Sequence, residues 1–224
     1  MARKPSQLEF AVIGLGRFGR SVALNLIERG HTVLGIDRDP NIVQQLADRM
    51  TQVVALDSTN EDALRAVDIL SFDTVVVAIG SQFEANLMTT VALKQLGVKR
   101  VVCKALNERQ QYILTRVGAD MVVLPEHEAG ARLAWQLSEP HLLEHLNLGH
   151  GFSVAEVKVP APLVGQTLMQ SGLRRRYGIN VLAVKQSDNK MLVTPPPDYV
   201  FRRDDRMLII GSDANISTFC DLSS

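Results

Sequence analysis

Cysteine is scarce in this chain of 224 residues, with Cys103 and Cys220 as its whole complement. They have neither the paired spacing of a metal site nor the density of a disulfide-stapled secreted domain, which points to a reducing cytoplasm. Net charge is missing as well, because 24 basic residues cancel 24 acidic ones and both signs are scattered along the chain. That excludes a broad electrostatic footprint for nucleic acid or an anionic membrane surface, so no nucleic-acid partner is expected and any anion site has to be local. No window approaches the roughly 18 consecutive apolar residues of a membrane-spanning helix. The opening MARKPSQLEF runs straight into a strand-like segment, without the apolar stretch and cleavage site of a signal peptide. If the protein works at a membrane, something else is expected to span it. There is no fixed-period repeat and no low-complexity tract.

What is present is an ordinary globular composition, 46% hydrophobic, laid out as short runs of Val, Ile and Ala alternating with segments of helical periodicity. That is the pattern of repeated βαβ units around a parallel sheet buried on both faces. Strands are expected at Phe10–Ile13, Thr32–Ile36, Gln52–Leu56, Thr74–Ile79, Arg100–Lys104 and Met121–Leu124. The fold class is therefore α/β, a Rossmann-like six-stranded parallel sheet. Between the strands, Gly19–Glu28 carries Val22, Ala23, Leu26 and Ile27 on one sheet-facing stripe. Asp39-Pro40 and Ser58-Thr59-Asn60 before Glu61-Asp62 read as helix starts. Leu87, Met88, Val91 and Leu96 read as helix-to-sheet packing.

After Pro125 the pattern changes. EHEAGARLAWQLSEPHLLEHL predicts a connecting arm, one helix halted near Pro140 and then a second short helical segment, with Trp135 as an interface or core anchor. NLGHG, residues 147–151, is the expected domain junction. This divides the chain into a nucleotide-binding domain with its helical arm over 1–140 and a smaller α+β domain over 150–224. The second has expected strands at Ser153–Val159, Val181–Lys185, Met191–Val193 and Met207–Ile210 and a helical piece around Thr167–Arg175. At about 70 residues it is near the lower limit for a self-sufficient core, so pairing with a second copy is expected.

VIGLGRFGRS, residues 12–21, holds Gly14, Gly16 and Gly19 in GxGxxG spacing. It follows the apolar strand FAVI, opens a helical segment, and precedes an acidic residue, Asp37, at the end of the next strand. Gly14 permits the tight turn, Gly16 lets the backbone approach phosphate oxygens, and Gly19 lets the helix pack closely on the strand. The helix N-terminus supplies N–H donors and partial positive charge. Asp37 accepts hydrogen bonds from ribose hydroxyls and repels a 2'-phosphate, which disfavours NADP even though Arg38 follows it. Arg17 and Phe18 stand between the second and third glycines. A guanidinium there suits a third phosphate, which brings ATP and ADP forward beside NAD or NADH; the alternative is a solvated arginine at a helix start. Asp57, Ile79, Gly80 and Lys104 lie at the carboxyl ends of expected strands, where open α/β sheets bind ligands. Glu126, after VVLP, is read two ways, as a ligand for a cation shared with phosphate or as a charge that favours a helix N-terminus.

The histidines offer little. His31 and His127 have no partner in the pattern, and His141 and His145, one helical turn apart in the arm, read as a solvated helix face. An NAD-dependent oxidoreductase with the same first domain is the alternative function. It needs an acid or base presented to the nicotinamide, and the second domain contains no histidine after His150.

FAVIGLGRFG, the acidic residue ending the second strand, VVVAIG, the strand leading to Lys104, and VGADMVVLPEHEAGARLA together resemble the RCK (KTN) domain proteins. These are the cytosolic regulatory subunits of Ktr and Trk potassium-uptake systems. The resemblance continues through PLVGQTLMQSGLRRRYGINVLAVKQ and PPPDYVFRRDDRMLIIG. It implies a gating ring, commonly an octamer built of dimers, on the cytoplasmic face of a membrane-embedded potassium-translocating subunit, with ATP and ADP holding the ring in different shapes. It places the three glycines and Lys104 by the phosphates, Asp37 at the ribose, Arg17 at the terminal phosphate of ATP, and Glu126 at a sodium or divalent cation. Arg174 and Asn180 match polar contacts of a cyclic di-AMP site found in some members. None of these roles is enzymatic.

Overall fold

The computed structural model describes residues 7–138 and 142–223. Contacts divide the chain into two compact units, one up to Glu128 and one from Ala129.

The first unit is built on six strands: β1 (Glu9–Ile13), β2 (Thr32–Asp37), β3 (Gln52–Ala55), β4 (Thr74–Val77), β5 (Val101–Lys104) and β6 (Met121–Val123). They pair in the order β3-β2-β1-β4-β5-β6, every neighbour parallel. Successive residues of a strand point to opposite faces, and here both faces are packed. Ala11, Ile13, Leu34, Ile36, Val75 and Val77 enter one core, while Val12, Val33 and Val76 enter the other. This two-sided burial is why the strands read as continuous aliphatic runs.

Helices α1 (Arg17–Glu28), α2 (Pro40–Leu46), α3 (Glu61–Ala66), α4 (Phe83–Leu96), α5 (Glu108–Arg116) and α6 (Pro125–Ser138) connect or follow the strands. The expected stripe on α1 is present: Ala23 is buried, and Val22, Leu26 and Ile27 pack against the second core. Asp39 caps α2 by accepting from the Asn41 N–H, and Asn60 caps α3 by accepting from Asp62 and Ala63. On α4, however, Met88 is 51% exposed instead of packed on the sheet. The buried stripe is Asn86, Thr89, Thr90 and Leu93, a partly polar face that an apolar-only pattern passes over. Strand order reverses between β1 and β4, and at that switch point the carboxyl ends of the strands open a crevice.

The second unit holds an antiparallel sheet of β7 (Leu142–Gly149), β8 (Phe152–Lys158), β9 (Asn180–Lys185), β10 (Met191–Val193) and β11 (Arg206–Ser212), ordered β10-β9-β11-β8-β7. Three short helices, α7 (Leu168–Ser171), α8 (Leu173–Tyr177) and α9 (Asp213–Cys220), accompany it. The expected helical piece around Thr167–Arg175 is thus two helices, parted at Gly172, whose φ of +59° is left-handed. Thr167 and Gln170 close a capping box at the start of α7. The terminal α9 had no counterpart in the sequence reading.

Residues 142–149 correct that reading most clearly. Expected as helix, they form the edge strand β7, paired with β8 from Leu142↔Val157 to Gly149↔Phe152. A run such as LLEHLNLG carries both i,i+3 and i,i+2 apolar spacings, and the partner strand decides between them. The Asn147–Gly151 stretch, expected as a junction, holds the turn of this hairpin, with the division of the chain after Glu128. His141 and the side chain of His145 lie outside the described residues.

Phe201, Met207, Ile209, Ile216 and Phe219 form the heart of the second core. Phe219 is 1% exposed and meets the Tyr177 ring edge-on at 5.4 Å. Phe219→Ala is expected to cost about 3–5 kcal/mol in the second unit, measured by chemical denaturation followed by circular dichroism.

Candidate functional site

β1 ends at Ile13, and the chain turns through Gly14, Leu15 and Gly16 into α1. Gly14 has φ +89°, a left-handed conformation, and a side chain there would meet the Ile79 nitrogen at 3.0 Å. At Gly19 a β-carbon would stand 1.9 Å from the Gly14 carbonyl oxygen, so the third glycine is required by helix-to-turn packing. Gly16 differs from both. A β-carbon there meets nothing within 4 Å, and the residue caps α1 without any side-chain acceptor, with no acidic residue in the first turn. The unpaired N–H groups and the positive end of α1 therefore face open space, an arrangement that receives an anion.

Asp37, at the end of β2, holds this turn in place. One carboxylate oxygen accepts from the Leu15 N–H at 2.6 Å and the other from the Asp39 N–H at 3.0 Å. Each oxygen keeps a lone pair for a further donor such as a ribose hydroxyl. The turn-holding role was not visible in the sequence, because spacing predicts a ligand contact and says nothing of the backbone N–H two residues into the turn.

A cleft of about 380 Å³ opens over these strand ends, lined by Gly14, Gly16, Asp37 and Arg38 on one side. Asp57, Ile79 and Gly80 line the other. The Thr59 backbone N–H and hydroxyl both donate to the Asp57 carboxylate and hold it below its ordinary range, with the Arg38 charge adding to the effect. Seven of the expected residues thus come together. Arg17, Phe18, Gly19 and Lys104 do not line the cleft: Arg17 is exposed at the start of α1, and Gly19 is packed beneath the turn.

Asn86 is a residue the sequence reading missed. It is 2% exposed, and its side-chain amide donates to the Ile79 carbonyl at 2.7 Å and the Lys104 carbonyl at 2.9 Å. It ties the end of β4 to the end of β5 beyond their last ladder bonds, directly under the Ile79–Gly80 wall. Nearby, the Ser58 and Thr89 hydroxyls bond at 2.8 Å in the interior. The available signal was a polar stripe at helical spacing on an otherwise apolar helix.

Lys104 ends β5 almost fully buried. Its ammonium meets the Glu126 carboxylate at 2.5 Å and lies 5.5 Å from the centre of the Phe18 ring. The bond from Lys104 pulls the Glu126 carboxyl below the usual glutamate range, and the Arg17 charge contributes. Within one chain Glu126 has an ammonium as its partner, and no group of three His, Cys, Asp or Glu side chains is arranged for a metal among the described residues.

Arg174 and Asn180 are elsewhere, in the second unit, on a separate cleft of about 1000 Å³ beside α7 and α8. Cys103 is buried, its thiol raised to about 11 by burial, and Cys220 is buried in the other core. Neither is in a disulfide.

Residues 10–125 match the model of the TrkA-N domain, and residues 154–224 match that of the TrkA-C domain. The chain belongs to the TrkA family of Ktr-type potassium uptake proteins. Ktr system potassium uptake protein C of Bacillus subtilis (strain 168) is 37% identical over 94% of this chain and 95% of its own length. Ktr system potassium uptake protein A of Vibrio alginolyticus is 31% identical over 93% of this chain and 94% of its own. Among solved structures, the GsuK RCK domain is similar with a TM-score of 0.55 and 25% identity, over 98% of this chain and 47% of that one. The GsuK channel bound to NAD is similar to the same degree, with 39% of that longer chain covered. Among the described residues of this TrkA-family chain, no helix is long and apolar enough to cross a membrane.

The Lys104–Glu126 pair has a pH signature. Because the Glu126 value is depressed in the folded protein, the pair's contribution is present above the ordinary glutamate range and is lost as pH falls through the lowered value. In Lys104→Met the Glu126 midpoint, followed by carboxyl NMR, is expected to rise toward the ordinary 4.5.

Proposed function

We propose that this chain is a nucleotide-sensing regulatory subunit of a potassium-transport system, with an adenine nucleotide in the cleft between the ends of β1 and β4. The reading is carried by the uncapped N-terminus of α1 at Gly16 beside the Asp37 carboxylate, in a chain similar over 94% of its length to a Ktr system potassium uptake protein. The turn N–H groups hold phosphate oxygens, Asp37 takes the ribose hydroxyls, and Asp57 and Ile79 wall the far side. NAD, held by the similar GsuK channel, is the alternative occupant of the same turn.

In this reading the nucleotide is a signal and no bond is broken. ATP and ADP differ in affinity for two shapes of a ring of copies, and that difference shifts the ring. Arg17, exposed at the first position of α1, reaches the terminal phosphate of ATP on its own chain or a neighbour's, where ADP has nothing to offer it. The ring is an octamer built of dimers, cytoplasmic and held to the inner face of the membrane by a potassium-translocating subunit. The second cleft, with Arg174 and Asn180, is assigned to cyclic di-AMP on the match of those two residues.

Equilibrium binding of ATP, ADP, NAD and NADH to the purified chain tests the reading. Arg17→Ala is expected to weaken ATP about tenfold, ~1.4 kcal/mol, and ADP much less. Equal losses for both remove Arg17 from the terminal phosphate, and a marked preference for NADH with hydride transfer to an oxidant replaces the regulatory reading with the oxidoreductase one. Native mass measurement is expected to give a particle of about eight chains, and a one- or two-chain particle with and without ATP excludes the ring.

A further inference from the structure

Lys104 and Glu126 are an unequal pair. The lysine side chain is 9% exposed and the glutamate side chain 63%. An ammonium nine-tenths out of water needs a counter-charge, whereas a carboxylate mostly in water gives up its partner cheaply because water replaces it. The lysine requires the bond and the glutamate does not.

Its location makes the inequality useful. Lys104 Nζ lies 3.6 Å from where a β-carbon on Gly80 would stand, and Gly80 lines the cleft. The ammonium is therefore at the edge of the space where a phosphate chain leaving the α1 N-terminus would pass. Asn86 bonds the Lys104 carbonyl and the Ile79 carbonyl together, so the lysine backbone is fixed relative to the Gly80 wall. Only the far end of its side chain is left to choose a partner.

We propose that Glu126 is a displaceable internal counter-ion of Lys104, which a phosphate group entering beside Gly80 replaces. This deepens, and rests on, the nucleotide reading of the cleft. A ligand bearing phosphates has to compete with the carboxylate for the ammonium, whereas adenosine does not, so Glu126 sets the penalty on phosphate binding and with it the discrimination by phosphate number. The exchange also marks the bound state outside the cleft. Glu126 is the second residue of α6, and its release unties the first turn of that helix from the end of β5. The helix continues to Ser138, past the division between the two units after Glu128.

The test is calorimetric titration of the full chain in a chelating buffer free of divalent cations, with adenosine, ADP and ATP as probes. Glu126→Gln, at an exposed position, is expected to bind ADP and ATP about three- to tenfold more tightly than wild type, with adenosine unchanged within about twofold. The gain is expected to vanish in the double variant Lys104→Met with Glu126→Gln, because the contested ammonium is gone. ADP and ATP affinities that stay equal or fall in Glu126→Gln overturn the exchange, as does a gain that survives without Lys104. Wild type that binds none of the three probes overturns the nucleotide reading and the exchange with it, whereas wild type that binds them without the Glu126→Gln gain overturns the exchange alone.

Discussion

The bond from the Leu15 N–H to the Asp37 carboxylate, 2.6 Å long, is the constraint on which the site depends. β1 and β2 run parallel and end at matched height, Ile13 beside Ile36, and the chain leaving β1 must turn at once to start α1. The Gly14 N–H bonds the Ile36 carbonyl at 2.7 Å and the next N–H bonds the carboxylate. The turn is thereby pinned to β2 at two successive residues. A carboxylate this close to the proposed anion site would ordinarily oppose an anion there. Held by two backbone donors, Asp37 instead spends much of its charge on the protein and keeps its remaining lone pairs for hydroxyl groups.

The neighbouring strand ends pose a different problem. The ladder between β4 and β5 stops at Val77 and Cys103, so the carbonyls of Ile79 and Lys104 lie beyond that ladder, where an unpaired buried acceptor is costly. Asn86 satisfies both. Helix α4 accordingly presents Asn86, Thr89 and Thr90 toward the sheet as well as Leu93, a polar face built for the open edge of the sheet. Lys104 is the matching case for charge: its position under the cleft keeps water away, and so it takes Glu126 as partner.

Much of this was legible in the sequence. Aliphatic runs such as Phe10–Ile13 and Thr74–Ile79 read as strands because such runs bury both faces, and Asp39-Pro40 and Ser58-Thr59-Asn60 read as helix starts because short polar side chains before a helix cap its free N–H groups. The spacing of Gly14, Gly16 and Gly19, with Asp37 beyond them, located the cleft. Other features lay outside such rules. Leu142–Gly149 has a pattern that fits helix or strand, and only β8 as a partner settles it. Met88 shares its spacing with true core positions, and exposure depends on which face the sheet meets. Asn86 is a single polar letter whose two acceptors, the carbonyls of Ile79 and Lys104, are brought within its reach only when the ends of β4 and β5 lie side by side.

The sequence by itself determined the fold class, the order of elements in the first unit and the position of the glycine turn, because these follow from local periodicity and from the backbone freedom of particular glycines. Tertiary structure alone decided which charges face each other and which are dry. That Asp37 clamps the turn, that Lys104 is buried against an exposed Glu126, and that Arg17 stands outside the cleft all depend on strand ends brought side by side from distant parts of the chain. Electrostatic roles are set by distance and by access to water, and neither is written in spacing along the sequence.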